Sequence, residues 1–405
     1  MAQHAIRGPL WAIVAMALVA GCTPDPSSPG DAAREPTSAS RPSGDASPAA
    51  VPAPPSGDPV KAAPFVAQAK LAARAFDRSG TRRALDGALA ADPACPEALE
   101  LLGWYFLDVS PDQDAGAALL CFQQLTALGV TGGTVSGGEG VARMLAGDSV
   151  GARAPLEKAL ADPALVALPG RHAKVVTALA RLEVEAGRPA LAEPLFRKGL
   201  EVEPIELWKA ETYAQLAEIC IASGRAPEAE QLLHEALARN PEHLKSRYVW
   251  SRLLRKLGRN EEAEKQARIH ELLRQIVDPV GARAIADIDH RVSARAGLVE
   301  ADPGNEMFFG AYVRVLLEAK KYAEAEHAVA ERTKGGKPTA EHAFLLARAR
   351  AGRGDVDGAD KARVAMRQID PNVPPQMDRA IAEEYRRSGA SDDAVERLLA
   401  RWGRH

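Results

Sequence analysis

The chain has 405 residues, enough for two or three globular units or for one elongated array. Apolar residues make up 46% but aromatics only 5%, with Ala and Leu dominant, which favours helices packed through small side chains over a β-sandwich or barrel. A net charge of −3 and a pI near 6.3 do not recommend nucleic acid as a partner, and four cysteines in this length do not make a disulfide framework.

His4 and Arg7 precede an apolar run from Leu10 to Ala20. The run is shorter than the roughly 20 apolar residues that a bilayer crossing needs. A basic start, a short apolar stretch and small residues at its end predict a secretory signal over 1–21. The ending Leu18-Val19-Ala20-Gly21-Cys22 resembles the bacterial lipobox. That resemblance implies a lipidated Cys22 as the mature N-terminus, and a protein anchored in the bacterial cell envelope with its folded part in the periplasm or at the cell surface. Buried acyl chains contribute about 0.8 kcal/mol per methylene, so such an anchor is durable. Thr23, where an Asp would signal inner-membrane retention, favours the outer membrane. Residues 22–62 are mainly Pro, Ser, Ala, Gly and Asp, with too little to bury to repay their ordering entropy, which predicts a disordered tether.

Helical spacing then takes over. Repeats are expected over 63–128, with a first helix at about Pro64–Asp77. The glycine-rich stretch 129–140 reads as a break or hinge. Central repeats follow over 141–277, then an irregular helical connector over 278–304 with one amphipathic helix from Ala282 to Val299, then further repeats over 305–405.

The central repeats are the clearest. Leu179-Ala180, Ala192, Phe196, Gly199 and Pro204 recur as Leu216-Ala217, Ala229, Leu233, Ala236 and Pro241, each shifted by 37 positions. Later units return to a 34-residue step, as from Ala325 to Ala359. A repeat of this length, helical on both sides of a Gly-containing turn, signals stacked helix-turn-helix units in which none buries its apolar stripe alone. Gly187, Gly224, Gly258, Gly354 and Gly389 fall between helices, where the chain needs a positive φ. The pattern resembles tetratricopeptide repeats. The resemblance implies an all-α solenoid of about eight such repeats, with the first helix of each unit lining a groove for protein or peptide partners.

Carried onto this sequence, the groove positions are Lys174, Arg181, Lys245, Arg252, Arg255, Arg314, Arg348, Arg379 and Arg386 against Glu211, Glu218, Glu341 and Glu383, with Tyr248 and Phe344 interleaved. The basic excess implies an acidic or carboxylate-bearing peptide. The Lys/Asn/Asn clamp of chaperone-tail-binding relatives is not matched.

No catalytic constellation is present. His234-Glu235 lacks the second His of a zinc site, and no nucleophile elbow or phosphate-binding loop occurs. The expectation is a non-enzymatic scaffold or adaptor without cofactor or metal, bound to protein rather than nucleic acid, in envelope, secretion or pilus assembly. Two alternatives are an accessory subunit that positions a cell-wall or polysaccharide enzyme, and an envelope glycan binder.

Overall fold

In the computed structural model, which describes residues 53–75, 77–108, 113–277 and 287–403, many helices start where a short acidic side chain takes up free backbone N–H groups. Asp77, Asp114, Asp148 and Asp355 each accept a bond from the N–H three residues on. Such caps contribute about 1 kcal/mol each. Every described element is helical. Cys22, the leader, the tether up to residue 52 and the connector from 278 to 286 lie outside the described residues.

The chain divides into two compact units between Trp208 and Lys209. In the N-terminal unit, α1 (Pro59–Arg74) pairs with α2 (Arg78–Ala91), α3 (Pro96–Leu107) with α4 (Ala115–Ala127), and α5 (Gly133–Leu145) with α6 (Ser149–Leu160). A single turn, α7 (Pro163–Val166), leads to the pair α8 (Pro169–Glu185) and α9 (Pro189–Val202), and a 3-10 turn (Glu206–Trp208) closes the unit. One core runs through it, from Val66 and Leu85 past Phe122 and Leu156 to Val175.

The C-terminal unit repeats the scheme. Its pairs are α10 (Lys209–Ala222) with α11 (Ala226–Arg239) and α12 (Leu244–Lys256) with α13 (Asn260–Val277). After α14 (Ile288–Ala301) come α15 (Glu306–Glu318) with α16 (Tyr322–Thr333), α17 (Ala340–Gly352) with α18 (Val356–Ile369), and α19 (Gln376–Arg387) with α20 (Asp392–Trp402). First helices lie against first helices: α10 on α12, α15 on α17, α17 on α19. This is the all-α solenoid class expected, built of tetratricopeptide-like hairpins that bury one another's stripes.

Three local expectations need correction. The first helix begins at Pro59 inside the expected tether, because Asp58 caps it through Val60 and Lys61 and Pro59 suits the first helical position. Its backbone is tied down as well, by Gly57 N–H to the Asp92 carboxylate (2.9 Å) and Asp58 N–H to the Ala91 carbonyl (2.9 Å). The stretch 129–140 is not a break, since from Gly133 onward it is α5, with Gly137, Gly138 and Gly140 buried. The connector 278–304 supplies α14, which packs on both α13 and α15 through Leu298, Ile269, Leu273 and Phe308.

Gly187 and Gly224 have φ of 70° and 75°, as the turns after α8 and α10 require. Lys320 occupies the matching place between α15 and α16 with φ 57°, where a side chain costs about 1 kcal/mol. Lys320→Gly is therefore expected to raise the stability of the C-terminal unit by several tenths of a kcal/mol, read as a higher denaturation midpoint. An unchanged or lower midpoint would show that the turn is unstrained.

Candidate partner-binding surfaces

The residues expected to line a basic groove separate into two groups once their neighbours are known. Most are already paired. Lys174 donates to Asp108 (2.7 Å), and Lys245 sits between Glu211 (3.4 Å) and Glu218 (3.0 Å). Arg314 binds Glu341 (2.8 Å), and Arg386 binds Glu383 and, at 2.8 Å, Asp392. Arg348 is only 7% exposed and is paired with the buried Glu384. All four glutamates of the groove tally, Glu211, Glu218, Glu341 and Glu383, are partners of the cations beside them.

Phe344 and Arg348 also need correction as surface residues. Phe344 is fully buried, because α17 is packed against α15, α16, α18 and α19 and has little free face. Arg348 lies over its ring, 5.6 Å from the centroid.

The second group is exposed. Arg252, Arg255 and Arg379 make no ion pair among the described residues, and the half-buried Arg181 makes none either. Arg252 and Arg255 follow Tyr248 on one stripe of α12, at steps of four and three. Tyr248 is 48% exposed. The Arg252 guanidinium lies 5.5 Å from its ring centroid, and His270 of α13 packs against the ring at 5.9 Å. Burial pulls the His270 imidazole below its ordinary pKa, so it adds no charge at neutral pH.

The adjoining face of α12 is anchored in the core by Arg247. Arg247 is buried, donates to the Pro241 carbonyl (3.1 Å) and to Gln266 of α13, and stacks over Phe308 of α15. Burial pushes its guanidinium down to about 10, so it stays charged.

Lys245, one turn before Tyr248, belongs to a separate cluster. Burial pushes the Glu211 carboxyl up, but a hydrogen bond from His243, the Lys245 charge and a bond from Gln215 outweigh it and hold the group at about 2. His243 Nδ1 accepts the Ser246 backbone N–H, so Nε2 carries the proton facing Glu211 (3.2 Å). A carboxyl depressed below its ordinary 4.5 adds stability that is complete above that value and is lost as pH falls towards 2. The slope of stability against pH between about 5 and 3 is expected to flatten in Glu211→Gln. An unaltered slope would show that this cluster does not couple to folding.

The N-terminal unit offers a different surface, which composition did not signal. A cavity of about 260 Å³ opens between α1, α3, α8 and the 3-10 turn, walled by Leu101, Trp104, Tyr105 and Trp208. Arg171 lies 5.2 Å from the Trp104 ring centroid and Lys174 lies 5.1 Å from that of Trp208. The cysteines take no part in either surface. Cys95, Cys121 and Cys220 form no disulfide among the described residues, and burial pushes Cys121 up to about 11. Among the described residues no group of three or more His, Cys, Asp or Glu is placed to hold a metal ion, and no helix is long and apolar enough to cross a membrane.

Residues 183–243 and 221–269 match the family model described as Tetratricopeptide repeat, a stretch reaching from the end of α8 into α13. The match covers only these central hairpins, and tetratricopeptide repeats are generally interaction modules rather than catalysts. No curated protein sequence matches the chain.

Among solved structures, PilF of Pseudomonas aeruginosa is similar at 15% identity and TM-score 0.39, over 64% of this chain and 98% of that one. The P58(IPK) TPR domain is similar at 17% identity and TM-score 0.27, over 85% of this chain and 99% of that one. The human IFIT1 dimer with PPP-AAAA is similar at 15% identity and TM-score 0.34, over 83% of this chain and 82% of that one. At these scores the likeness carries no argument about partner or role.

Proposed function

We propose that the protein is a non-catalytic scaffold, held on an envelope membrane through Cys22, that binds an acidic segment of a partner protein on the Tyr248–Arg252–Arg255 stripe of α12. The observation that carries this reading is a contrast along one helix. Lys245 is neutralised by two glutamates, whereas Arg252 and Arg255 face solvent, with no carboxylate partner among the described residues, beside an exposed Tyr248. Guanidinium groups without partners are already poised for bidentate carboxylate contacts, and an adjoining aromatic adds apolar area. The lipobox-like ending at Cys22 supports the anchor, and a task in envelope, secretion or pilus assembly accords with it.

Fractionation of a bacterium expressing the chain tests both halves. Cys22→Ala is expected to move the protein from membranes to the soluble fraction while partner capture from envelope extract persists. Arg252→Glu with Arg255→Glu is expected to leave it on membranes and abolish capture. Membrane retention of the first variant would refute the anchor, and undiminished capture by the second would refute the stripe.

A further inference from the structure

The Trp104–Trp208 cavity is unlike the α12 stripe in both chemistry and size. Its volume of about 260 Å³ lies below the roughly 300–1,000 Å³ of small-molecule and cofactor pockets and suits one large side chain. The aromatic faces are not a cage for a ligand cation, because Arg171 and Lys174 of the protein already stack on Trp104 and Trp208.

The polar groups at its edge settle what else an occupant must carry. Lys174 gives protons to Asp108 (2.7 Å) and the Leu107 carbonyl (3.4 Å). Arg171 uses Nη1 on Glu100, and no other described residue takes a bond from its Nε or Nη2. The Trp104 indole N–H is buried and has no partner among the described residues. Thr81 spends its hydroxyl on the Asp77 carbonyl (2.7 Å). The unspent donors are thus the Nε and Nη2 edge of Arg171 and the Trp104 indole N–H, around an apolar hole.

We propose that this cavity is a docking site for a partner polypeptide that inserts one large apolar side chain flanked by a carboxylate. The apolar chain fills the space between Leu101, Trp104 and Trp208, and the carboxylate takes the free edge of Arg171. Occupation buries Trp208, which is 39% exposed in the free protein. The site lies wholly in the N-terminal unit and stands or falls independently of the α12 stripe.

The test uses the purified chain and the capped tripeptide acetyl-Glu-(4-fluoro-Phe)-Glu-amide, followed by fluorine NMR. A saturable shift is expected. Its midpoint should rise about tenfold or more in Trp208→Ala, which removes a wall, and in Ala73→Phe, which fills the cavity from an exposed position. Arg252→Glu with Arg255→Glu should leave the midpoint unchanged. The same tripeptide with Lys in place of both Glu should bind about tenfold more weakly or worse. No saturable shift, equal binding by the Trp208 and Ala73 variants with unchanged circular dichroism, or equal binding of the Lys-flanked peptide would each overturn the proposal. Loss of binding in the α12 variant would assign the peptide to that stripe instead.

Discussion

Gly138→Ala is expected to destabilise the N-terminal unit by about 2–3 kcal/mol, near the upper end of what over-packing a close-packed core costs. Its Cβ would come within 2.1 Å of Cζ of Phe122, which is fully buried. A Cβ on Gly103 would likewise meet Phe122 Cζ at 2.7 Å. The ring tip of Phe122 of α4 thus packs against glycines of both α3 and α5, with Trp104 edge-on at 5.9 Å. A chemical denaturation midpoint, with hydrogen exchange on α3 to α5, reads the loss. Gly170→Ala, whose Cβ would meet only Pro204 at 3.9 Å, should be neutral or slightly stabilising. Adding Phe122→Leu should recover part of the Gly138→Ala loss, because the two positions share one space. Strict additivity would mean that the glycine is not there for the ring.

The second large effect concerns Glu384. It is 1% exposed and is bound by Arg348 at similar depth, with Arg387 at 3.3 Å and the Tyr322 hydroxyl donating at 3.5 Å. Glu384→Ala leaves the Arg348 charge buried, and Arg348 Nε and Nη1 already lack partners. A loss of about 3–5 kcal/mol is expected, because an unpaired buried charge costs more than the pair contributes. Arg348→Met with Glu384→Leu should restore most of the stability, since well-packed apolar replacements of a buried pair are often neutral. A mild effect of Glu384→Ala, or a double variant as unstable as the single, would show that the pair is not buried as described.

These two positions also show how far the sequence could be read. The repeats announced themselves through small residues at fixed spacing, because helix packing forces Ala and Gly where two axes approach, as at Ala192 and Ala229, both fully buried. The same force misled at 129–140. Six closely spaced glycines read as a flexible break, yet Gly137, Gly138 and Gly140 are small because Val175, Phe122 and Leu156 lie against them. Those neighbours come from other helices, and local pattern cannot reveal them.

The groove expectation has to be narrowed, for a cause that was partly visible. Counting charges by sign ignores that first helices stand side by side, so a charge faces the residue about one repeat away. Glu211 and Lys245 are 34 positions apart, Arg314 and Glu341 27, and Arg348 and Glu384 36. Opposite charges at about the repeat length are a sequence signal for quenching, and cations without such a match are the ones to weigh. Arg252 and Arg255 do not pass that filter, since Glu218 lies 34 positions before the first and Asp289 34 after the second; it is the structure that gives those carboxylates to Lys245 and Lys321 instead. Trp208 was not legible, since its neighbour Lys174 comes from two helices earlier.

The most direct test of the account is a calorimetric titration of the purified chain with an amide-capped octaglutamate peptide at low and at moderate salt. Binding that weakens with salt is predicted, reduced about tenfold or more by Arg252→Glu with Arg255→Glu and little changed by Lys245→Ala. Equal binding by the Arg252 and Arg255 variant, or clear preference for a single-stranded RNA of the same charge over the peptide, would contradict it.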